Sequence, residues 1–172
     1  LSEETGLIIP LGMQILDGAA SEAATLATLG HRLAVAANVS VVQLTDPSIP
    51  DAVEAALARH GVVPEHFVIE VTETAVMEQF DAACAALTRI AELGVRVVID
   101  DFGTGQSSLA QLSRLRFDEI KLDHGFIRGD RSEIHDAIVA AVARIGSAAG
   151  LHVRAEGGEA GLGISPSSTI RC

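Results

Sequence analysis

The segment from Gly94 to Phe126 reads GVRVVIDDFGTGQSSLAQLSRLRFDEIKLDHGF. Val95, Val97, Val98 and Ile99 make a short β-branched run between Gly94 and a glycine-rich loop, which predicts a buried strand rather than a helix. The run leads into two adjacent carboxylates, Asp100 and Asp101, and then into Phe102-Gly103-Thr104-Gly105. Ser107 opens a predicted short helix with Leu109, Leu112 and Leu115 on one side. A second strand, about Asp118 to Leu122, delivers Lys121 and Asp123. Consecutive strands that end in ionisable groups and are joined by a helix predict an α/β protein with its chemistry at the strand C-termini.

The flanking sequence extends the pattern in both directions. A helix is predicted from about Leu11 to Leu29, stopped by Gly30. Alternation through Leu33, Val35, Ala37 and Val39 predicts a strand ending at Asn38-Val39-Ser40. Ser48-Ile49-Pro50-Asp51 resembles a capping-box start for a helix that runs to His60 and closes on Gly61. Phe67 to Val71 reads as a strand that presents Glu70, with Glu73 just beyond. Helix 81–93 has Cys84, Leu87 and Ala91 at core spacing. Glu133 to Ala149 is amphipathic through Ile134, Ile138, Val142 and Ile145, and Leu151 to Ala155 is a last strand, ending in Glu156-Gly157-Gly158-Glu159. Strand and helix thus alternate over five strands, the pattern of parallel β/α architecture.

Composition narrows the function classes. A chain of 172 residues, 48% hydrophobic and 20% charged, is globular and long enough to bury a core. Its net charge of −11 leaves no basic stripe for a nucleic-acid polymer. Aromatic residues are 3% with no Trp or Tyr, so base-stacking platforms are scarce. Cys84 and Cys172 form no CxxC motif, which suits a reducing cytoplasm, and Cys84 reads as core. The histidines show no HExxH spacing. No apolar run approaches membrane-spanning length, and a chain that begins at Leu1 reads as a piece of something longer.

The predicted strand ends carry Asn38, Glu70, Asp100 with Asp101, Lys121 with Asp123, and Glu156. Oxygens of this kind converging on one mouth make a hard-ligand site suited to Mg²⁺ or Mn²⁺ rather than Zn²⁺. Singly, each residue also has a plainer reading. Asp100-Asp101 before glycines is a solvated turn, Asn38 a strand-end cap, Glu70 and Glu73 a helix-start charge pair, Lys121 a surface lysine and Glu156 a turn residue. Neighbouring side chains on a strand point to opposite faces, so both aspartates share a site only where the strand breaks, which Gly103 and Gly105 would supply.

As a unit, DDFGTGQSSLAQLSRLRFDEIKLDHGFI, some 28 residues at fixed spacing, resembles the central motif of the EAL-domain family, usually DDFGTGYSSL followed by a KID-type strand and Phe. Leu7 to Gly12 is similar to that family's AEETGLI-type entry. The family comprises phosphodiesterases that linearise the bacterial second messenger cyclic di-GMP. The resemblance implies a TIM-like (β/α) barrel, incomplete here with about five β/α units. It implies metal ligation by Asn38, Glu70, Asp100, Asp101 and Glu156 in a two-metal site for Mg²⁺ or Mn²⁺, since a negative site needs cations to accept a phosphodiester. Lys121 would orient the attacking water, and Glu156 would also serve as base. Glu73 would anchor the loop after Asp101, while Asp123 and Glu159 match positions near the substrate or behind the ligands.

The resemblance covers residues 1–159, and residues 160–172 form an aberrant Gly/Ser-rich tail. The Glu-Ala-Leu motif would precede Leu1, a late Gln-Gly motif is missing after Glu159, Gly158 replaces Val, Gln106 replaces Tyr, and His124-Gly125 replaces a polar pair. The expectation is a cyclic di-GMP phosphodiesterase giving linear pGpG, impaired in this truncated chain. The alternative is a degenerate domain that binds cyclic di-GMP or a partner protein without catalysis. A Schiff-base barrel using Lys121 is disfavoured, because neighbouring carboxylates stabilise its ammonium form. The implied setting is cytoplasmic, with a parent protein that has room for a membrane anchor, a homodimer, and flanking sensory or GGDEF-type domains.

Overall fold

A computed structural model describes residues 7–103, 111, 113–123 and 133–155. Helix α1 spans Ile8–Thr28, followed by strand β1 (Val35–Asn38), helix α2 (Val41–Leu44), helix α3 (Ile49–His60) and strand β2 (Phe67–Thr72). Helix α4 (Glu73–Glu78) and helix α5 (Phe80–Glu92) lead to strand β3 (Arg96–Phe102) and strand β4 (Glu119–Leu122). Helix α6 (Glu133–Ala149) and strand β5 (His152–Ala155) complete the described chain. The five strands are parallel and lie side by side in sequence order. Parallel strands in sequential order with intervening helices form the wall of a (β/α) barrel; among the described residues β1 and β5 do not pair, so the wall stays open.

The sheet has two unlike faces because side chains alternate along each strand. Phe67, Ile69 and Val71 of β2, Val97 and Ile99 of β3, and Ile120 and Leu122 of β4 join one apolar core with Leu16, Val53, Leu87 and Ile90 from the helices. The residues between them, Glu70, Thr72, Asp100, Glu119 and Lys121, belong to the opposite face. Gly30 stops α1 with a left-handed backbone (φ 82°). Around it the N–H of Gly30 reaches the carbonyl of Ala27 and that of His31 reaches Leu26, the paired bonds of a Schellman turn.

Several local expectations are corrected. The reciprocal capping box lies at Ser40 and Gln43, on α2, not at Ser48. Ser48 gives no side-chain cap; its amide and hydroxyl both donate to Asp46 Oδ1, and those bonds hold the Asp46 carboxyl below its ordinary range. The buried stripe of α5 is Ala83, Ala86, Leu87 and Ile90. Cys84 is only half-buried, its thiol donating to the Arg114 carbonyl. Strand β3 runs three residues past Ile99, to Phe102. Glu73 is not a loose charge after a strand but the first residue of α4, where Thr72 caps the N–H of Ala75. The predicted helix at Ser107, with Leu109 and Leu112, lies outside the described residues, as do Gln106, His124-Gly125, Gly158 and the tail. No described helix is long and apolar enough to cross a membrane.

Candidate functional site

The strand C-termini bring most of the sequence-predicted residues to one edge of the sheet. Asn38 ends β1 directly across from Glu70 of β2, and the N–H of Val39 donates to the Glu70 carbonyl at 2.9 Å. Asn38 is exposed. Two residues further along β2, Thr72 is the register partner of Asp100 on β3. From β4 the Lys121 ammonium lies 2.8 Å from Glu70 Oε1 and 3.5 Å from Asp100 Oδ2, and all three side chains are largely withdrawn from solvent. Lys121 therefore bridges carboxylates from two other strands.

Asp101 occupies the point where regular pairing fails. Ile99 pairs with Ile120 and Phe102 with Leu122, so three steps along β3 match two along β4. That is a one-residue bulge. Asp101 takes a left-handed backbone, φ 53°, the one positive φ of a non-glycine residue among those described, a conformation Asp and Asn tolerate better than most. The extra residue also turns Phe102 back to the helix side, where it is buried with Ile99 in the core. The break expected of the glycines is thus made two residues earlier, at the second aspartate itself.

Charge crowds this corner. Burial pushes the Asp101 carboxyl above its ordinary range, Asp100 and Asp123 push it further, and Lys121 opposes them. Asp100 Oδ1 accepts the Asp101 N–H at 2.9 Å. Asp123, the residue after β4, donates its N–H to the Phe102 carbonyl at 3.3 Å. Behind the corner, Glu73 is buried and its Oε2 accepts the Gly103 N–H at 2.6 Å. Glu156 and Glu159 lie outside the described residues. Among the described residues no three acidic, His or Cys side chains converge as a finished metal cage. The donor set is nonetheless oxygen-only, and a carboxyl pushed up by burial and by its acidic neighbours is relieved by a divalent cation, so these residues suit a hard cation.

One charged pair on this face escaped the sequence reading. Glu119, two residues before Lys121, is buried, and Arg154 of β5 lies against it. The alternation that placed Lys121 on the site face places Glu119 there too, and that was the available signal.

Comparison with known proteins gives a consistent set of likenesses. The model of the EAL domain family matches residues 1–159. A bifunctional diguanylate cyclase/cyclic di-GMP phosphodiesterase, MucR of Pseudomonas aeruginosa, is 40% identical over 161 residues, which is 92% of this chain and 24% of that protein. The cyclic di-GMP phosphodiesterase PdeR of Escherichia coli is 36% identical over 159 residues, again 92% of this chain and 24% of that protein. The chain thus spans about a quarter of the length of these relatives. In three dimensions it resembles the PaMucR phosphodiesterase in its c-di-GMP complex, with a TM-score of 0.83 and 38% identity over 90% of this chain and 64% of that one.

Proposed function

This chain belongs to the EAL domain family, and we propose on that premise that it hydrolyses cyclic di-GMP to linear pGpG in a metal-dependent reaction. The observation that carries the proposal is the Lys121 ammonium shared by Glu70 and Asp100 at the strand ends. Asn38, Glu70, Asp100, Asp101 and Glu156 would hold two divalent cations, Mg²⁺ or Mn²⁺. Bound there, the cations would offset the charge of the phosphodiester and lower the pKa of water.

The chain's own groups have separable tasks. Lys121, fixed by two carboxylates, donates a hydrogen bond that orients the attacking water. Glu156 accepts the water proton as oxygen bonds to phosphorus. The bond from phosphorus to the 3′ oxygen breaks and that oxygen takes up a proton from solvent, while Glu156 returns its own, leaving a 5′-phosphate and a 3′-hydroxyl, so one water is consumed per ring opened. Glu73 anchors the backbone after Asp101 through Gly103, and Asp123 and Glu159 stand behind the ligands or near the substrate. Residues 1–159 form the functional unit in this reading, with residues 160–172 an appendage to it.

The test follows conversion of cyclic di-GMP to pGpG by chromatography with Mn²⁺ or Mg²⁺. Asp100→Asn removes a charge assigned to the cations and abolishes turnover. Lys121→Ala lowers turnover more than it weakens substrate binding, because its partner is the water. Tight binding of cyclic di-GMP with no cleavage under either metal would overturn the enzyme and leave a receptor.

A further inference from the structure

On the site face of the sheet, a second set of charges lies one step back from the strand ends. Glu119 and Lys121 are two residues apart on β4 and so leave it on the same side. The Glu119 side chain is 8% exposed, whereas that of Arg154 on neighbouring β5 is 66% exposed. Arg154 Nε approaches Glu119 Oε1 to 3.0 Å, but off the line of a hydrogen bond, and that buried oxygen accepts none among the described residues. The register partner of Arg154 is Lys121, and that of Glu119 is His152. The ion pair is therefore diagonal, joining the level of Lys121 to the level of Glu119.

A buried carboxylate stays ionised only beside a cation. Arg154 reaches Glu119 across the strand gap, and Lys121 stands two residues further along β4 on the same face. Lys121 is turned instead to Glu70 and Asp100. We propose that Arg154 is a positioning residue for Lys121, acting through Glu119. By answering the Glu119 charge it leaves the Lys121 ammonium at the strand ends rather than drawn back along β4. The inference rests on the role given to Lys121 above, and it requires no contact between Arg154 and the substrate.

Arg154→Ala and the double variant Glu119→Gln/Arg154→Ala form the test. In Arg154→Ala a crystal structure finds Lys121 Nζ displaced toward Glu119. Calorimetry with Mn²⁺ alone finds binding about tenfold tighter, because the cation competing for Glu70 and Asp100 has moved away. With substrate, kcat falls while KM changes little. In the double variant no charge remains at position 119 to attract Lys121, so Nζ position, Mn²⁺ affinity and kcat all return toward wild type. Lys121 Nζ still at Glu70 in Arg154→Ala would overturn the proposal. So would a double variant as impaired as the single one, which would make Arg154 a direct phosphate contact. A chain that cleaves no cyclic di-GMP defeats the phosphodiesterase reading but leaves the position of Nζ to decide this one.

Discussion

Glu73 Oε2 accepts the backbone N–H of Gly103 at 2.6 Å, across 30 residues of sequence. The carboxylate belongs to the first residue of α4 and the amide to the loop that follows Asp101 and Phe102. The ends of β2 and β3 are thereby clasped behind the acidic corner, by a side chain that is 1% exposed. Leaving that amide without its acceptor costs about 1–3 kcal/mol. Glu73→Ala is expected to lower stability by that order in urea unfolding and to lower turnover as well. Glu73→Gln, which keeps an acceptor oxygen, loses less. Equal losses in the two variants would show that the acceptor is not what matters.

Asp101 is strained by its neighbours as well as by its backbone. Because its carboxyl is pushed up by burial, Asp100 and Asp123, ionising it in the folded chain costs stability. That cost is absent where both folded and unfolded forms are protonated, and it grows as pH rises through the folded value. Asp101→Asn keeps a side chain suited to the left-handed backbone and removes the charge. The metal-free variant is expected to melt higher than the wild type at pH 7, by a fraction of a kcal/mol once solvent screening is counted. The difference should shrink toward pH 4. A variant less stable than wild type at pH 7 would contradict this account.

Two glycines of α1 make a matched pair. A Cβ on Gly12 would stand 1.8 Å from Gln43 Nε2, against a buried side chain that accepts the Ser40 N–H. Gly12→Ala must displace it and open the capping box just beyond Asn38, with an expected loss of about 1–3 kcal/mol. A Cβ on Gly18 meets nothing within 4 Å. Gly18→Ala should therefore gain about 0.5–1 kcal/mol from helix propensity. Thermal melts of the two single variants check both signs at once.

The metal preference follows from the donors. An all-oxygen set of Asp, Glu and Asn ranks Mn²⁺ above Mg²⁺ by the usual divalent affinity order. Calorimetry with each metal is expected to give tighter Mn²⁺ binding, weakened by Glu70→Gln as well as by Asp100→Asn. Unchanged Mn²⁺ affinity in both variants would remove these carboxylates from the ligand set.

Much of this arrangement could be read from residue order, and the exceptions share a cause. β-branched runs such as Val95 to Ile99 announce strands, and the apolar repeat from Ile134 to Ile145 announces α6. Asn38, Glu70, Asp100 and Lys121 could be placed because each ends such a run. Helix α2 is four residues long, too short for periodicity to register, and its Ser40-Val41-Val42-Gln43 looks like strand continuing. The bulge was hidden for the opposite reason: adjacent aspartates before glycine look like a loop, and nothing in the string says that Phe102 rejoins the core. The Glu119–Arg154 contact depends on register between β4 and β5, which the order of residues within either strand does not carry.

The bulge at Asp101 ties the chemistry to the fold in a way that acts on deletions. Loss of one residue between Ile99 and Phe102 would leave two steps on β3 against two on β4, restore strict alternation and keep the Phe102 ring in the core, with one acid of the pair gone. Loss of both would set Phe102 one step from Ile99 and swing its ring onto the charged face. Packing at Phe102 thus guards against the loss of both acids but not of one: a chain short of a single aspartate folds as before and is caught only at its chemistry.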